Sequence, residues 1–159
     1  MKIRIGHGID VHAFCEGDFV MLGGVRIEHS RALAAHSDGD VAIHALCDAI
    51  LGAAALGDIG RHFPPSDPQW AGVDGCELLR QVYILMRQDG WSIVNADITI
   101  VCEQPKITPH AAQMKANIAK VLDVEPEDIS VKATTTEGLG FCGREEGITA
   151  QAIVMIKRW

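Results

Sequence analysis

The sequence has no Cys-x-x-Cys pair, no excess of basic residues and no apolar run long enough to cross a bilayer. Each absence removes a class. The five cysteines, Cys15, Cys47, Cys76, Cys102 and Cys142, are odd in number and widely spaced. This argues for reduced thiols in a cytoplasmic protein and against a disulfide framework. The formal net charge of −7 speaks against nucleic acid or an anionic membrane as partner, since both want a basic surface. It leaves room for an anionic small molecule wherever a bound metal inverts the local charge. A membrane helix needs roughly 20 apolar residues, and the most apolar stretch, 42–56, is broken by His44 and Asp48. No signal-peptide apolar region follows Met1-Lys2-Ile3-Arg4, so a cytoplasmic location is expected. The chain carries no Walker-type phosphate loop and no serine in a nucleophile elbow. No repeat, low-complexity tract or linker divides it, so residues 1–159 are expected to form a single domain.

What is present is an alternation of strand and helix patterns. Segments 2–10 and 19–27 read as strands, with Gly17-Asp18 as a turn between them and Gly23-Gly24 bending the second. Segment 38–56 reads as a helix. Ile43, Leu46, Cys47, Ile50, Leu51 and Ala54 form its apolar face, and Asp40, His44 and Asp48 form a polar stripe on another. Ser37, Asp38 and Asp40 offer caps at its start. A second helix is expected over 75–89, opened by an Asp74/Glu77 capping box, and a third over 109–122 with Thr108 as N-cap. Segments 97–101 and 129–133 alternate as strands. Segment 148–156 is nearly continuous in apolar residues, which predicts that both its faces are covered. The expected fold is α+β: a two-layer sandwich of a mixed sheet packed on one side by helices.

Several constellations carry chemistry. Asp10 and His12 lie at i and i+2 of an extended segment and so face the same way. With His44 from the helical polar stripe they make two imidazoles and a carboxylate, a donor set suited to zinc with the fourth position open. The same residues also suit a turn cap and surface histidines. Asp48, one turn beyond His44, suits either a second layer that orients the imidazole or a solvated helix face. His36-Ser37-Asp38-Gly39-Asp40 packs an imidazole, a hydroxyl and carboxylates at a helix start, where free N–H groups favour an anion; plain capping is the alternative. The run 57–68 is a surface loop rich in Gly, Pro and Asp, functional or merely connecting. Near the C-terminus, Thr134-Thr135-Thr136-Glu137 is followed by a glycine-rich stretch. It supplies hydroxyls and exposed N–H groups for phosphate oxygens and a hard oxygen ligand for magnesium or manganese, or else a long glycine-rich hairpin. Cys47 sits on the apolar helix face and is expected in the core.

Taken in order, the segments Arg4–His12, His36–Val41, Gly57–Gly60, Pro105-Lys106, Lys132–Glu137 and Gly140–Arg144 resemble the 2-C-methyl-D-erythritol 2,4-cyclodiphosphate synthase family across nearly the whole chain. The resemblance implies a homotrimer with active sites between subunits. It implies zinc on Asp10, His12 and His44, and magnesium or manganese on Glu137 at the substrate diphosphate. His36 and Thr135 would steady the transition state. Asp10, His12, His36 and Ser37 would contact substrate, with Asp58, Ile59 and Gly60 on its methylerythritol part. The loop Phe63-Pro64-Pro65-Ser66-Asp67 would belong to the same binding surface. A neighbouring subunit would supply the cytidine side through Cys102-Glu103-Gln104-Pro105-Lys106-Ile107-Thr108 and Thr134, Thr135, Thr136. Phe141 and Arg144 would lie near the trimer axis.

The implied reaction is intramolecular. The 2-phosphate of a cytidine-diphosphate-linked methylerythritol attacks the β-phosphorus and CMP leaves. The nucleophile is already anionic, so positioning and charge neutralisation are what remain to be supplied. The chain departs from the family pattern at Pro65, where an aspartate is usual, at Gly138, commonly lysine, and at Glu145, commonly glycine. Two other activities use the same residues: a metal-dependent phosphoesterase with water as nucleophile, and a module that binds isoprenoid diphosphate around a structural metal.

Overall fold

The even positions of the first strand, β1 (Lys2–Cys15), include Gly6, Gly8, Asp10 and His12, and the odd ones Ile3, Ile5, Ile9 and Val11. Alternate side chains point to opposite faces of a strand, so one face carries glycines and polar donors and the other isoleucines. A computed structural model describing residues 1–159 lays the glycine face against helix α1 (Val41–Ala54). A Cβ on Gly6 would fall 1.9 Å from the Ala49 carbonyl oxygen, and one on Gly8 2.0 Å from that of Ala45. The missing side chains let helix backbone lie directly on strand backbone. This close approach brings His44 over Asp10 and His12.

β1 pairs antiparallel with β4 (Ala32–Leu33) on one side and β7 (Gly147–Arg158) on the other. β7 pairs antiparallel with β5 (Ser92–Val101), which runs parallel to β6 (Ile129–Thr134). The sheet is therefore mixed, in the order β4-β1-β7-β5-β6. Helices α1, α3 (Gly75–Gln88) and α4 (Ala111–Leu122) cover one of its faces. Ile98, Ile100, Ile148 and Val154 meet Leu46, Ile50, Leu79 and Met114 in one continuous core, with the Cys47 thiol inside it. This is the expected α+β arrangement of a mixed sheet and helices. No helix is long and apolar enough to cross a membrane.

Four local expectations are corrected. Segment 19–27 is not one bent strand: β2 (Phe19–Leu22) and β3 (Val25–Glu28) form a separate hairpin. Gly23 and Gly24, at φ 59° and 74°, make the two-residue turn that only such backbone freedom allows. Thr108 does not cap α4; a 3-10 turn over Thr108–His110 leads into it without a side-chain cap. The Glu77 carboxylate turns away from the start of α3 to Arg80 and Gln81, so Asp74 caps alone, through Cys76 N–H. β7 is covered on one face only. Ala150, Ala152, Val154 and Ile156 are buried while Gln151 and Ile153 are open, because the chain contains no second layer on that side. The open face of β1 and β7 presents Ile5, Ile9 and Ile153, respectively 67%, 53% and 51% exposed.

Candidate active site

Asp10 and His12 project from the helix-facing side of β1, and His44 descends from α1 between them. Asp10 Oδ2 lies 2.9 Å from His12 Nε2 and 3.1 Å from His44 Nδ1, and the two ring nitrogens are 3.3 Å apart. These three atoms form a compact triangle of candidate metal ligands. Donors held at about 2.0 Å by a tetrahedral zinc stand about 3.3 Å apart, so the observed edges fit such an ion. The outer nitrogens are also engaged. His12 Nδ1 is 2.9 Å from the Ala34 carbonyl oxygen, which only accepts, so Nδ1 carries a proton, and Nε2, which donates to Asp10 in the metal-free protein, is the nitrogen that would give up its proton to a metal. His44 Nε2 is 3.1 Å from Ser37 Oγ. Burial pushes the Asp10 carboxyl up, but hydrogen bonds and charge from His12 and His44 outweigh it and bring the pKa down to about 2. The bond to Asp10 pushes the His12 imidazole up, against the opposing effect of burial.

The turn before α1 is braced by carboxylates. Asp40, fully buried, accepts from the N–H groups of Gly23 (2.9 Å), Gly24 (2.7 Å) and Ile43 (3.0 Å). Asp38 accepts from Asp40 N–H and from Gly75 N–H at the head of α3. Capping therefore falls to Asp40, and His36 and Ser37 are left to face the cleft. The cleft, of about 220 Å³, has the Asp10/His12/His44 triangle, His36 and Ser37 on one wall. Ile59, Gly60, Phe63 and Pro65 lie on the other. Three further lining residues, Trp70, Val73 and Leu78, escaped the sequence reading. Trp70 stands edge-on to Phe63 at 4.9 Å, carried there by a short turn that Asp67 caps. An aromatic inside a polar loop was the available signal. Asp58 caps the one-turn helix α2 (Ile59–His62) through Arg61 N–H. Asp58, Pro64, Ser66 and Asp67 flank the cleft in sequence without lining it.

Asp48 corrects an expectation. It does not orient His44, both of whose nitrogens are taken, and its Oδ1 instead accepts from Ile59 N–H at 2.8 Å.

A second cleft, of about 190 Å³, lies at the carboxyl ends of β5 and β6. Cys102, Glu103, Pro105, Lys106, Ile107 and Thr108 form one side, and Thr134 and Thr135 the other. The Glu103 carboxylate accepts from Thr136 and Gly138 N–H, which folds the following turn. Glu137 sits exposed on that turn at φ 54°, its N–H donating to Thr135 Oγ1. The glycine-rich stretch after it is a short helix, α5 (Gly140–Gly143), not a hairpin. Gln104, Thr136, Glu137, Phe141 and Arg144 line neither cleft; Arg144 is exposed and paired with Glu146. Register sets the two clefts apart: Asp10 pairs with Ala150, Ala150 with Ile100, and Ile100 with Ala133. Three strand spacings, about 14 Å, therefore separate the two halves of the expected site within one chain.

An α+β scaffold on which a strand and a helix converge two imidazoles and a carboxylate at a cleft defines a protein with a candidate metal-binding group. The chain belongs to the YgbB family, whose model matches residues 3–157. It is 60% identical over 157 residues to the 2-C-methyl-D-erythritol 2,4-cyclodiphosphate synthase of Xanthomonas axonopodis pv. citri (strain 306), covering 99% of this chain and 95% of that protein. Among solved structures it is similar to the bifunctional IspDF from Campylobacter jejuni, with a TM-score of 0.95 and 45% identity; the match covers 99% of this chain and 43% of that one. It is also similar to the IspF of Plasmodium falciparum in complex with CDP, with a TM-score of 0.86 and 34% identity, covering 98% of this chain and 96% of that one.

Proposed function

We infer that the chain closes 4-diphosphocytidyl-2-C-methyl-D-erythritol 2-phosphate into 2-C-methyl-D-erythritol 2,4-cyclodiphosphate and releases CMP, a lyase step of non-mevalonate isoprenoid biosynthesis. The observation that carries this reading is the Asp10/His12/His44 triangle opening into a cleft shared with Ser37 and Ile59-Gly60. The family relatives named as synthases support it.

In the proposed reaction the 2-phosphate oxygen of the substrate forms a bond to the β-phosphorus. The bond from that phosphorus to the oxygen bridging to the α-phosphate breaks, and the electron pair leaves with CMP. No side chain is needed as a strong base, because the attacking oxygen is already ionised. The protein's task is to fold the substrate on itself and to neutralise charge. Asp10, His12 and His44 would hold zinc, and Glu137 a magnesium or manganese ion; bound there, such ions supply Lewis-acid neutralisation of the diphosphate. Ser37, held on His44 Nε2, and His36 at the cleft mouth donate to phosphate oxygens. Thr135 with His36 steadies the charge that develops on them. Asp58, Ile59, Gly60 and the Phe63–Asp67 loop take the methylerythritol end, beside the apolar Phe63/Trp70 pair.

Segment Cys102–Thr108 and Thr134, Thr135 and Thr136 take the cytidine side of a substrate whose other end lies on a neighbouring copy. The assembly is proposed as a homotrimer of single-domain chains built on the open face of β1 and β7, with Phe141 and Arg144 toward its axis. The apolar character of that face and the separation of the two clefts support the shared site. The number three follows from the sequence resemblance. A cytoplasmic location accords with five free thiols.

Phosphorus NMR of the products, with and without chelator, tests the reading. Cyclic diphosphate and CMP formed only without chelator support it. Linear phosphates would identify a phosphoesterase, and no turnover a binding module.

A further inference from the structure

We propose that Asp48 is a positioning residue: its carboxylate sets the distance between the helix that carries His44 and the Ile59-Gly60 backbone. The proposal rests on the reading of Ile59 and Gly60 as substrate contacts. Asp48 lies one turn after His44 on α1, so a side chain there reports the position of the metal-binding helix. Its Oδ1 accepts from Ile59 N–H at 2.8 Å across eleven residues of sequence.

The hydrogen bonds of the intervening chain do not fix that position. It leaves α1 through Ala55 and Gly57, both at positive φ (61° and 93°). Its other hydrogen bonds are internal or reach only the end of α1: Leu56 N–H to the Leu51 carbonyl, His62 Nε2 to the Leu56 carbonyl, and Arg61 N–H to Asp58. Ile59 and Phe63 add apolar packing against the core, and the Asp48–Ile59 contact is the hydrogen bond that ties the one-turn helix α2 directly to α1. Asp48, Ile59 and Gly60 line the same cleft as the three metal-ligand candidates, so the bond ties together two elements of that lining. A direct hydrogen bond from Asp48 to His44 is excluded by geometry, because Asp10 and Ser37 occupy both ring nitrogens. A shift of about 1 Å in a substrate-holding backbone is enough to cost on the order of 100-fold in rate.

The test compares full-length, metal-loaded wild type with Asp48→Asn and Asp48→Ala. Asparagine keeps an acceptor oxygen for Ile59 N–H and alanine does not. The expected result is kcat/KM within about 3-fold of wild type for Asp48→Asn and at least about 10-fold lower for Asp48→Ala, the loss of one hydrogen bond of about 1.4 kcal/mol. Metal content should be equal in all three proteins. Amide exchange at Ile59, measured without substrate, should accelerate in Asp48→Ala only. Should Asp48→Ala not fold, Asp48→Ser, too short to reach Ile59, takes its place. Three results would overturn the proposal: wild-type kcat/KM in Asp48→Ala; loss of metal in step with activity, which would route the effect through His44; or equal damage in Asp48→Asn, which would make the charge the cause. A wild type without turnover would defeat the functional reading and leave the exchange measurement to decide on Asp48.

Discussion

Asp10 Oδ2 and His44 Nδ1 stand 3.1 Å apart although 34 residues separate them in sequence. The contact exists because Gly6 and Gly8 let α1 lie on β1 without a layer of side chains between them. The triangle of candidate metal ligands is thus a consequence of helix–strand packing. Its chemistry can be perturbed from the ligands or from the packing beneath them.

Asp10→Asn or His44→Ala should lower zinc affinity by more than about 100-fold, since removing even an outer partner of a metal ligand costs about 10–100-fold. Neither residue belongs to the apolar core, so the fold should persist. Metal analysis after dialysis, beside circular dichroism, measures both.

Metal affinity should fall as pH drops. The Asp10 carboxyl, with its pKa at about 2, stays ionised across the working range. The His12 imidazole is pushed above its ordinary 6.5, so below that raised value the ion must displace a proton. The apparent affinity should then fall about ten-fold per pH unit. In the metal-free protein the same shifts act on stability with opposite signs. The His12 contribution is complete below pH 6.5 and is lost as pH rises through the raised value. The Asp10 contribution is complete above 3.8 and is lost as pH falls toward 2. Zinc titrations at several pH values and melting of the apoprotein check each half.

Asp40→Ala should destabilise by about 3 kcal/mol. The substitution strands three N–H groups, those of Gly23, Gly24 and Ile43, in a site with no solvent access to the carboxylate. Urea unfolding gives the number.

Gly8→Ala should both destabilise, by about 3 kcal/mol or more, and weaken metal binding. Its Cβ meets the Ala45 carbonyl at 2.0 Å, so α1 must lift and His44 with it. A cost in stability without any loss of metal would separate the packing from the site.

Ile153→Asp should convert the proposed trimer to monomers in light scattering and abolish turnover together. The charge falls on the open sheet face, and one chain alone keeps its two clefts about 14 Å apart.

The sequence disclosed what depends on periodicity. Ile43, Leu46, Cys47, Ile50 and Leu51 repeat at helical spacing and all are buried. Asp10 and His12 alternate onto one face, and the polar stripe of α1 supplies His44. What depends on backbone partners stayed hidden. Asp48 bonds to an N–H, which no side-chain pattern encodes. Glu103 spends its carboxylate on the Thr136–Gly138 turn for the same reason. A glycine pair reads alike as a bend or as a hairpin turn, and only the φ angles of Gly23 and Gly24 decide. The apolar run of β7 speaks of two faces that prefer cover, and one of them finds none within this chain.

The most direct test of a single ion held by strand and helix together is anomalous diffraction at the zinc edge from crystals grown with zinc. The account predicts one strong peak per chain bounded by Asp10 Oδ2, His12 Nε2 and His44 Nδ1. A triangle without a peak, or a peak that persists there in Asp10→Asn and His44→Ala crystals, would contradict it.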